Sequence, residues 1–341
     1  MAKAFVSGCA GPKLLPEESA FFAREEPWGL ILFRRNCVDP QQIRELVTDF
    51  RKAVARPDAP VLIDQEGGRV QRLQPPHWPA YPPGRLLGLI GERDLPAGER
   101  AAWLQARLIA ADLTDIGVTV DCLPLLDVVA GVSAAIGNRS FGPDPALVTR
   151  LGRAVSNGLF SGGVLPVMKH IPGHGRGEAD SHLALPVVAA DVETLAKTDL
   201  APFAALVDLP MAMTCHVVYS AVDPERPATT SPAVIRDIIR GRIGFTGLLL
   251  SDDVSMNALS GDYGERAAAI YAAGCDIVLH CNGRIEEMRA IADVAPTLAG
   301  EAGERAVRAL ALRRLPEPFD REAGRRELLE LAARAGWAPQ A

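Results

Sequence analysis

The chain has 341 residues, of which 48% are hydrophobic and 23% charged, a composition typical of a folded globular protein and not of a disordered one. Its 36 Lys and Arg residues against 42 Asp and Glu residues give a net charge of −6, which favours neither nucleic acid nor an anionic membrane surface as a partner. No uninterrupted apolar run approaches the roughly 18 residues that would span a bilayer, because Asp208, Asp252 and Asp276 interrupt the longest candidates.

The first ten residues contain one lysine and a short apolar stretch that ends before Gly11-Pro12. This stretch is shorter than the core of a secretory signal, at least about 7 residues, so we expect a cytoplasmic protein. The cysteines form no C-x-x-C pair, and a chain of this length does not need disulfides for stability, which predicts reduced and mostly buried thiols. They are Cys9, Cys37, Cys122, Cys215, Cys275 and Cys281.

Eight short apolar runs recur along the chain, each followed by a polar or glycine-containing loop and then by a helical pattern. Most are apolar nearly throughout instead of alternating, as expected for parallel strands that are buried on both faces. The runs are 4–7, 29–33, 61–64, 118–122, 164–170, 210–216, 248–252 and 276–280.

The segments between the runs carry helix start and stop signals. Asp39-Pro40 and Asp144-Pro145 each place a capping residue and a proline before an apolar pattern of helical spacing, and Ser231-Pro232 does the same before Val234. Gly117 separates a helical pattern from the next strand, where a glycine often follows a helix end. Alternating strands and helices predict an α/β fold, a single (β/α)8 barrel, with a doubly wound open sheet as the alternative.

The C-terminal tail is rich in Ala, Arg, Glu and Leu. We expect it to form peripheral helices packed on the barrel, with a solvated charged face. The predicted organisation is therefore a barrel over residues 1–300 and a helical extension over residues 301–341.

The predicted strands end in polar residues. The third run ends at Asp64 and leads into a Gln-Glu-Gly-Gly-Arg segment, the fifth ends in Lys169-His170, and the seventh ends at Asp252. The sixth and eighth runs end at His216 and His280. Because the carboxyl ends of barrel strands share one face, and barrel enzymes keep their active sites there, these residues predict a catalytic site.

The loop from Lys169 to His182 holds the densest cluster of polar residues. Its glycines permit positive φ or close backbone approach, which predicts a mobile flap. Asp180 can accept a hydrogen bond from one ring nitrogen of His182, leaving the other to donate or accept a proton, so the pair predicts an acid/base dyad.

A proton shuttle needs a nucleophile or a charge stabiliser on the same face, and Asp252 is the best candidate. Adjacent side chains on a strand point to opposite sides, so only one of Asp252 and Asp253 is expected to face the substrate. An alternative is a metal site built from imidazole and carboxylate ligands, although no H-x-H or H-E-x-x-H spacing is present. Its candidate ligands are His170, His174, Asp180 and His182.

Several motifs, in their order along the chain, together resemble family 3 glycoside hydrolases and, more narrowly, the bacterial β-N-acetylglucosaminidases of the NagZ type. The similarity runs from about residue 3 to residue 300, and the chain departs from the commonest pattern only in apolar replacements at Ile171 and Val254. The motifs are Asp64 to Arg72, Ile136 to Gly142, Lys169 to His182, Met213 to Tyr219 with Asp223-Pro224, and Ser251 to Met256.

The resemblance implies a barrel enzyme of cytoplasmic peptidoglycan recycling that needs no cofactor and no metal. Its substrate would be a muropeptide carrying N-acetylglucosamine β-1,4-linked to 1,6-anhydro-N-acetylmuramic acid. Asp252 would be the nucleophile, His182 the acid/base and Asp180 its orienting partner, with retention of configuration. The residues implied to bind the sugar are Asp64, Arg72, Arg139, Lys169 and His170.

Three other functions remain open from the residues alone. Phosphate could replace water as the acceptor, which would make the protein a glycosyl phosphorylase. The histidine cluster could hold a metal that activates water, as in a metallohydrolase. A sugar sensor without catalysis is the third possibility, although it would not need the complete set of Asp180, His182 and Asp252.

Overall fold

The computed structural model describes residues 2–131, 133–177 and 185–338. Eight parallel strands close into a barrel in which each strand pairs with its neighbours along the chain and the last pairs with the first. This confirms the predicted (β/α)8 barrel over the open sheet. The strands are β1 (Lys3–Ser7), β2 (Pro27–Leu32), β3 (Val61–Ile63), β4 (Val120–Asp121), β5 (Leu165–Ile171), β6 (Met211–Thr214), β7 (Leu248–Asp253) and β8 (Ile277–His280).

Each predicted run overlaps one of these strands, and the strands are buried on both faces. Along β7, Leu248 and Leu250 belong to the apolar cluster of the barrel interior, whereas Leu249 between them packs with the surrounding helices. Leu62 of β3 likewise points into the interior cluster. The alternation follows from the twofold period of a strand, and burial on both sides explains the nearly continuous apolar runs.

Helices surround the barrel, and two short strand pairs lie in its loops. Gln65–Gly67 pairs antiparallel with Val70–Gln71, and Val187–Val188 pairs parallel with Val218–Tyr219. The α-helices are α1 (Pro16–Glu25), α2 (Pro40–Ala53), α3 (Gly84–Arg93), α4 (Leu95–Asp115), α5 (Pro145–Ser161), α6 (Val192–Lys197), α7 (Ala201–Ala205), α8 (Tyr263–Ala273), α9 (Ile285–Val294), α10 (Gly300–Ala311) and α11 (Arg321–Arg334). A π-helix spans Val234–Arg242, and 3-10 turns span Arg34–Asn36, Gly137–Arg139 and Ala228–Thr230.

The helix signals read from the sequence act as expected. The Asp39 carboxylate accepts hydrogen bonds from the backbone of α2, and the Asp144 carboxylate accepts one from the first turn of α5. Ser231 accepts the backbone N–H of Val234, although the helix that follows is a π-helix. Gly117 follows the end of α4 with φ of +81°, a conformation that glycine adopts without strain.

The C-terminal helices pack on the barrel in two different places. Ala306 and Ala309 of α10 join the apolar cluster of the barrel interior, together with Trp28 and Leu298, so α10 covers the N-terminal ends of the strands. α11 instead packs against α4, with Ala332 fully buried. A division of the chain at residue 300 stays a prediction, and α10 begins at that residue.

The structure also shows the state of the cysteines and the hydropathy of the helices. All six cysteines are free thiols, five of them buried and Cys37 partly buried. Within the described ranges, no helix combines the length and the hydropathy needed to cross a membrane.

Candidate active site

The C-terminal ends of β3 and β5 meet in a buried network of ion pairs. Asp64, directly after β3, accepts hydrogen bonds from Arg72 Nη2 and from Lys169 Nζ, both at 2.9 Å. Glu66 lies 2.6 Å from Lys169 Nζ and accepts two bonds from the Arg139 guanidinium, at 2.7 and 2.9 Å. Lys169 therefore bridges two carboxylates, each of which also has its own arginine.

The network is ionised in spite of its burial. Burial alone would raise the pKa of Asp64, but the charges of Lys169 and Arg72 outweigh it and hold the pKa of that carboxyl well below its usual range. Burial also opposes the ionisation of Glu66, yet Arg139 and Lys169 lower its pKa to about 2. The pKa of Lys169 is raised, because the two carboxylates overcome the effect of its burial.

His170 follows Lys169 at the end of β5 and is held by Asp127. The Nδ1 atom of His170 lies 2.7 Å from Asp127 Oδ2, and the His170 backbone N–H donates to Asp127 Oδ1 at 3.2 Å. Burial opposes the ionisation of Asp127, but the neighbouring His170 ring outweighs it and the pKa falls to about 2. Asp127 thus accepts hydrogen bonds as a carboxylate and sets the orientation of the His170 ring.

Asp252 lies next to the last residue of β7, and the pKa of its carboxyl is lowered. Burial tends to raise the pKa of its carboxyl, but the neighbouring His216 and His170 rings and the backbone N–H of Asp253 outweigh this effect, so the pKa is lowered. Asp253 has a different role, since its carboxylate accepts the Ser255 hydroxyl and N–H and the N–H of Cys281. Both acids nevertheless line the cavity, and it stays a prediction that only one of them faces the substrate.

Several of these groups line one cavity at the C-terminal end of the barrel. Polar residues from β3, β5, β7 and the 3-10 turn at Gly137–Arg139 form one part of its wall, and apolar side chains form the rest. The lining comprises Phe33, Asp64, Val70, Ala135, Ile136, Arg139, Lys169, His170, His174, Met213, Asp252, Asp253, Met256, Leu279 and Cys281.

The cavity brings together most of the site residues predicted from the sequence. Asp64, Arg139, Lys169, His170 and Asp252 line it directly. Arg72 contributes through its bond to Asp64 and packs over the Phe33 ring, with its guanidinium 5.0 Å from the ring centroid. Asp180 and His182 lie outside the described residues.

The described part of the loop that leads to residue 178 is anchored at several points. The His174 N–H donates to Asp127 Oδ1 at 2.7 Å, Arg176 pairs with buried Asp199, and Ser133 donates to the Gly177 carbonyl. A Cβ at Gly175 would lie 1.9 Å from the Val128 carbonyl oxygen, so this glycine permits close backbone approach. Movement of the loop as a flap stays a prediction.

The other histidines that the structure describes are not in the cavity wall. His216 is buried behind β7, bonded to Thr229 and to the Asp253 carbonyl. His280 bonds Glu287, and His77 is exposed. In the parts of the chain that the structure describes, no three His, Cys, Asp or Glu side chains are grouped as a metal site would require.

Two residues of the site were not predicted. Glu66 stands two positions after Asp64, and alternation along an extended segment brings positions i and i+2 to one side, so a signal for it was present. Asp127 is the one acid in an apolar stretch from Leu123 to Val129, and such a carboxylate is buried only when it is paired. Its partners lie more than 40 residues further along the chain, at His170 and His174.

A closed parallel barrel with an ionised acid and an ion-pair network in one cavity at the strand ends is the architecture of a barrel enzyme. The glycosyl hydrolase family 3 N-terminal domain matches residues 16–313. A β-hexosaminidase of Methylococcus capsulatus is 42% identical over 276 residues, 80% of this chain and 80% of its own length. One from Aromatoleum aromaticum is 36% identical over 315 residues, covering 91% of this chain and 87% of its own.

A solved structure shares the whole fold. The crystal structure of NagZ from Neisseria gonorrhoeae in complex with N-trifluoroacetyl-D-glucosamine superimposes with a TM-score of 0.88 at 33% identity, covering 97% of this chain and 98% of that one. The chain belongs to glycosyl hydrolase family 3, which confirms the resemblance read from its motifs. It is a glycoside hydrolase of the β-N-acetylhexosaminidase type.

Proposed function

We propose that this protein is a retaining exo-β-N-acetylglucosaminidase of peptidoglycan recycling. It would act in the cytoplasm and remove the terminal N-acetylglucosamine from muropeptides that carry this sugar on 1,6-anhydro-N-acetylmuramic acid. The observation that carries the proposal is the position of Asp252, an acid with a lowered pKa in the same cavity as the Asp64, Lys169 and Arg139 network.

In the first chemical step, Asp252 attacks the anomeric carbon of the bound sugar. A bond forms between a carboxylate oxygen and that carbon while the glycosidic bond breaks, and His182 gives a proton to the departing oxygen. The product is a glycosyl ester on Asp252. The lowered pKa of Asp252 supports this role, because an ionised carboxylate is the nucleophilic form.

In the second step, water hydrolyses the glycosyl ester on Asp252. His182, now neutral, takes a proton from the water molecule as the water oxygen bonds to the anomeric carbon, and Asp252 leaves as a carboxylate. Two inversions give net retention of configuration. Asp180 orients His182 through a hydrogen bond and stabilises its charged form between the two steps.

The polar wall of the cavity would hold the non-reducing sugar. Asp64 accepts hydrogen bonds from sugar hydroxyls, while Lys169, Arg139 and Arg72 donate them. Lys169 and Arg72 also hold the Asp64 carboxylate in place. His170 completes this group of sugar-binding residues. The ion pairs hold these side chains in one arrangement before the substrate arrives, so little ordering is required at binding.

Kinetics with a 4-nitrophenyl N-acetyl-β-glucosaminide test the nucleophile. We expect Asp252→Asn to lower kcat by about 10⁴-fold or more, because the isosteric amide cannot form the ester. Matched urea unfolding curves would show that the fold is kept. Equal rates for the variant and the parent would remove Asp252 from the mechanism.

The same assay separates the acid role of His182 from the nucleophile role. Nitrophenolate leaves without much protonation, so His182→Asn should slow the natural disaccharide more than the nitrophenyl substrate. An equal loss with both substrates would contradict an acid role for His182.

Product analysis tests the substrate and the acceptor. A GlcNAc-1,6-anhydroMurNAc peptide should yield free N-acetylglucosamine as the β anomer, by NMR read at early times. If N-acetylglucosamine 1-phosphate formed only with added phosphate, the enzyme would be a phosphorylase. Release from the nitrophenyl substrate with no cleavage of the muropeptide would keep the glycosidase assignment and overturn the proposed substrate.

A further inference from the structure

Asp127 is fully buried and is itself fixed on two sides. Its Oδ2 atom meets His170 Nδ1 at 2.7 Å, and its Oδ1 atom accepts the backbone N–H groups of His170 and His174 at 3.2 and 2.7 Å. Its backbone carbonyl accepts the Ser140 hydroxyl at 2.6 Å. With Oδ1 taken by two N–H groups, the carboxylate cannot rotate away from the His170 ring.

This arrangement determines which nitrogen of His170 carries hydrogen. An ionised carboxylate only accepts hydrogen bonds, so Nδ1 must be the protonated nitrogen whether the imidazole is neutral or charged. The other nitrogen, Nε2, then provides a lone pair to a donor or, in the charged ring, an N–H to an acceptor. His170 lines the cavity together with Asp252 and Asp64, so Nε2 is the atom through which this ring recognises a ligand.

We propose that Asp127 is the positioning residue of the sugar site. It fixes the Nδ1–H form and the orientation of the His170 ring, so that Nε2 meets a hydroxyl of the bound sugar. The assignment of the hydroxyl partner rests on the proposed function, whereas the form of the imidazole does not. Asp127 itself does not line the cavity and acts only through His170.

The form of the ring can be measured directly in the full chain. ¹⁵N NMR of protein labelled at histidine, with the His170 signals assigned by their loss in His170→Asn, should show a protonated Nδ1 in the parent protein. In Asp127→Asn the protonated Nδ1 signal should disappear or become a mixture. An unprotonated Nδ1 in the parent would overturn the proposal, even if the enzyme is fully active and even if the variant does not fold.

A double-mutant cycle on the nitrophenyl substrate tests the functional part. We expect Asp127→Asn to lower kcat/KM by about tenfold to a hundredfold, the range for losing a hydrogen bond to a charged group. In the His170→Asn background the same change should cost less than about threefold, since its target is already absent. Losses that multiply in full would mean that Asp127 acts through the His174 loop, and the proposal would fail.

Asp276→Asn is the matched control. Asp276 is also a buried carboxylate that accepts a backbone N–H, but it precedes β8 at the opposite end of the barrel and pairs with Arg240 and Arg305. This variant should lose stability and keep both the His170 signals and kcat/KM of the parent. If it changed them as much as Asp127→Asn, a general loss of stability would explain both. If the parent protein cleaved no nitrophenyl substrate, the proposed function would fail and the NMR experiment would remain decisive for Asp127.

Discussion

The two ends of the barrel contain the same ionic arrangement. At the C-terminal end, Asp64 lies between Arg72 and Lys169. At the N-terminal end, Asp276 lies between Arg240, at 3.0 Å, and Arg305, at 2.8 Å. Asp276 is buried and the Asp64 side chain is only 15% exposed, so ion pairing alone does not distinguish a binding site from a structural one.

The difference lies in what surrounds each carboxylate. Asp276 also accepts the backbone N–H of Leu249, and Arg305 comes from α10, the helix that covers that end of the barrel. Asp64 shares Lys169 with a second acid, Glu66, and faces a cavity that also contains Asp252. An ion pair that a helix covers contributes to stability, whereas an ion pair that lines a cavity is also available to a ligand.

Removing the shared lysine gives the largest expected effect. Lys169→Met leaves Asp64 and Glu66 facing each other with one arginine each, and breaking a buried pair costs about 3 kcal/mol of unfolding free energy. kcat/KM should also fall about a hundredfold, because the sugar site loses a charged donor. Urea unfolding and nitrophenyl kinetics measure the two effects. A variant with parent activity would contradict the functional role of the network.

Lowering the pH should have the next largest effect, because protonation of Glu66 weakens the ion-pair network at the C-terminal end of the barrel. The pKa of Glu66 is about 2 in the folded protein, against 4.5 for an unperturbed glutamate, so its ionisation stabilises the fold above pH 4.5 and this contribution is lost as the pH falls towards 2. The contribution is about 3 kcal/mol. Glu66→Gln should therefore be less stable than the parent at pH 7, and the two should converge near pH 2. A difference that is constant from pH 7 to pH 3 would contradict this.

The smallest expected effect belongs to the N-terminal end. Arg305→Met removes one of two partners of Asp276, and Arg240 and the Leu249 N–H remain, so the unfolding free energy should fall by only about 1.5 kcal/mol. kcat and KM should stay at parent values. A loss of activity in this variant without unfolding would mean that the two ends are coupled, and the comparison drawn above would need revision.

The sequence was most informative for the features that recur along the chain, which are the strands and the helix starts. Eight apolar runs predicted eight strands, and Asp39 and Asp144 predicted helix starts, because hydrophobic period and capping depend on neighbouring residues. The polar strand ends also predicted most of the polar part of the cavity wall, including Asp64, Lys169 and Asp252. The roles of these residues, and of Asp180 and His182, stay predictions that the kinetics described above would test.

The sequence was least informative for polar partners that lie far apart along the chain. Asp127 stands in an irregular segment with no periodicity, and nothing near it indicates that it bonds to His170. His280 was grouped with the strand-end residues, yet its ring turns to Glu287 behind the barrel. The direction of a side chain at a strand end depends on the twist and register of the barrel, which local spacing does not reveal.

By itself, then, the chain's residue pattern determined the number and order of the strands, the caps of α2 and α5 and the end of the barrel at which the cavity lies. These follow from burial and from local hydrogen bonding, which act between residues close in sequence. Only the tertiary structure decided that Lys169 joins Asp64 to Glu66, that Asp127 holds His170 and that Asp276 is closed off by α10. Barrel closure brings those charges together from strands and loops more than 25 residues apart, and charges are buried in a folded protein only where such partners meet.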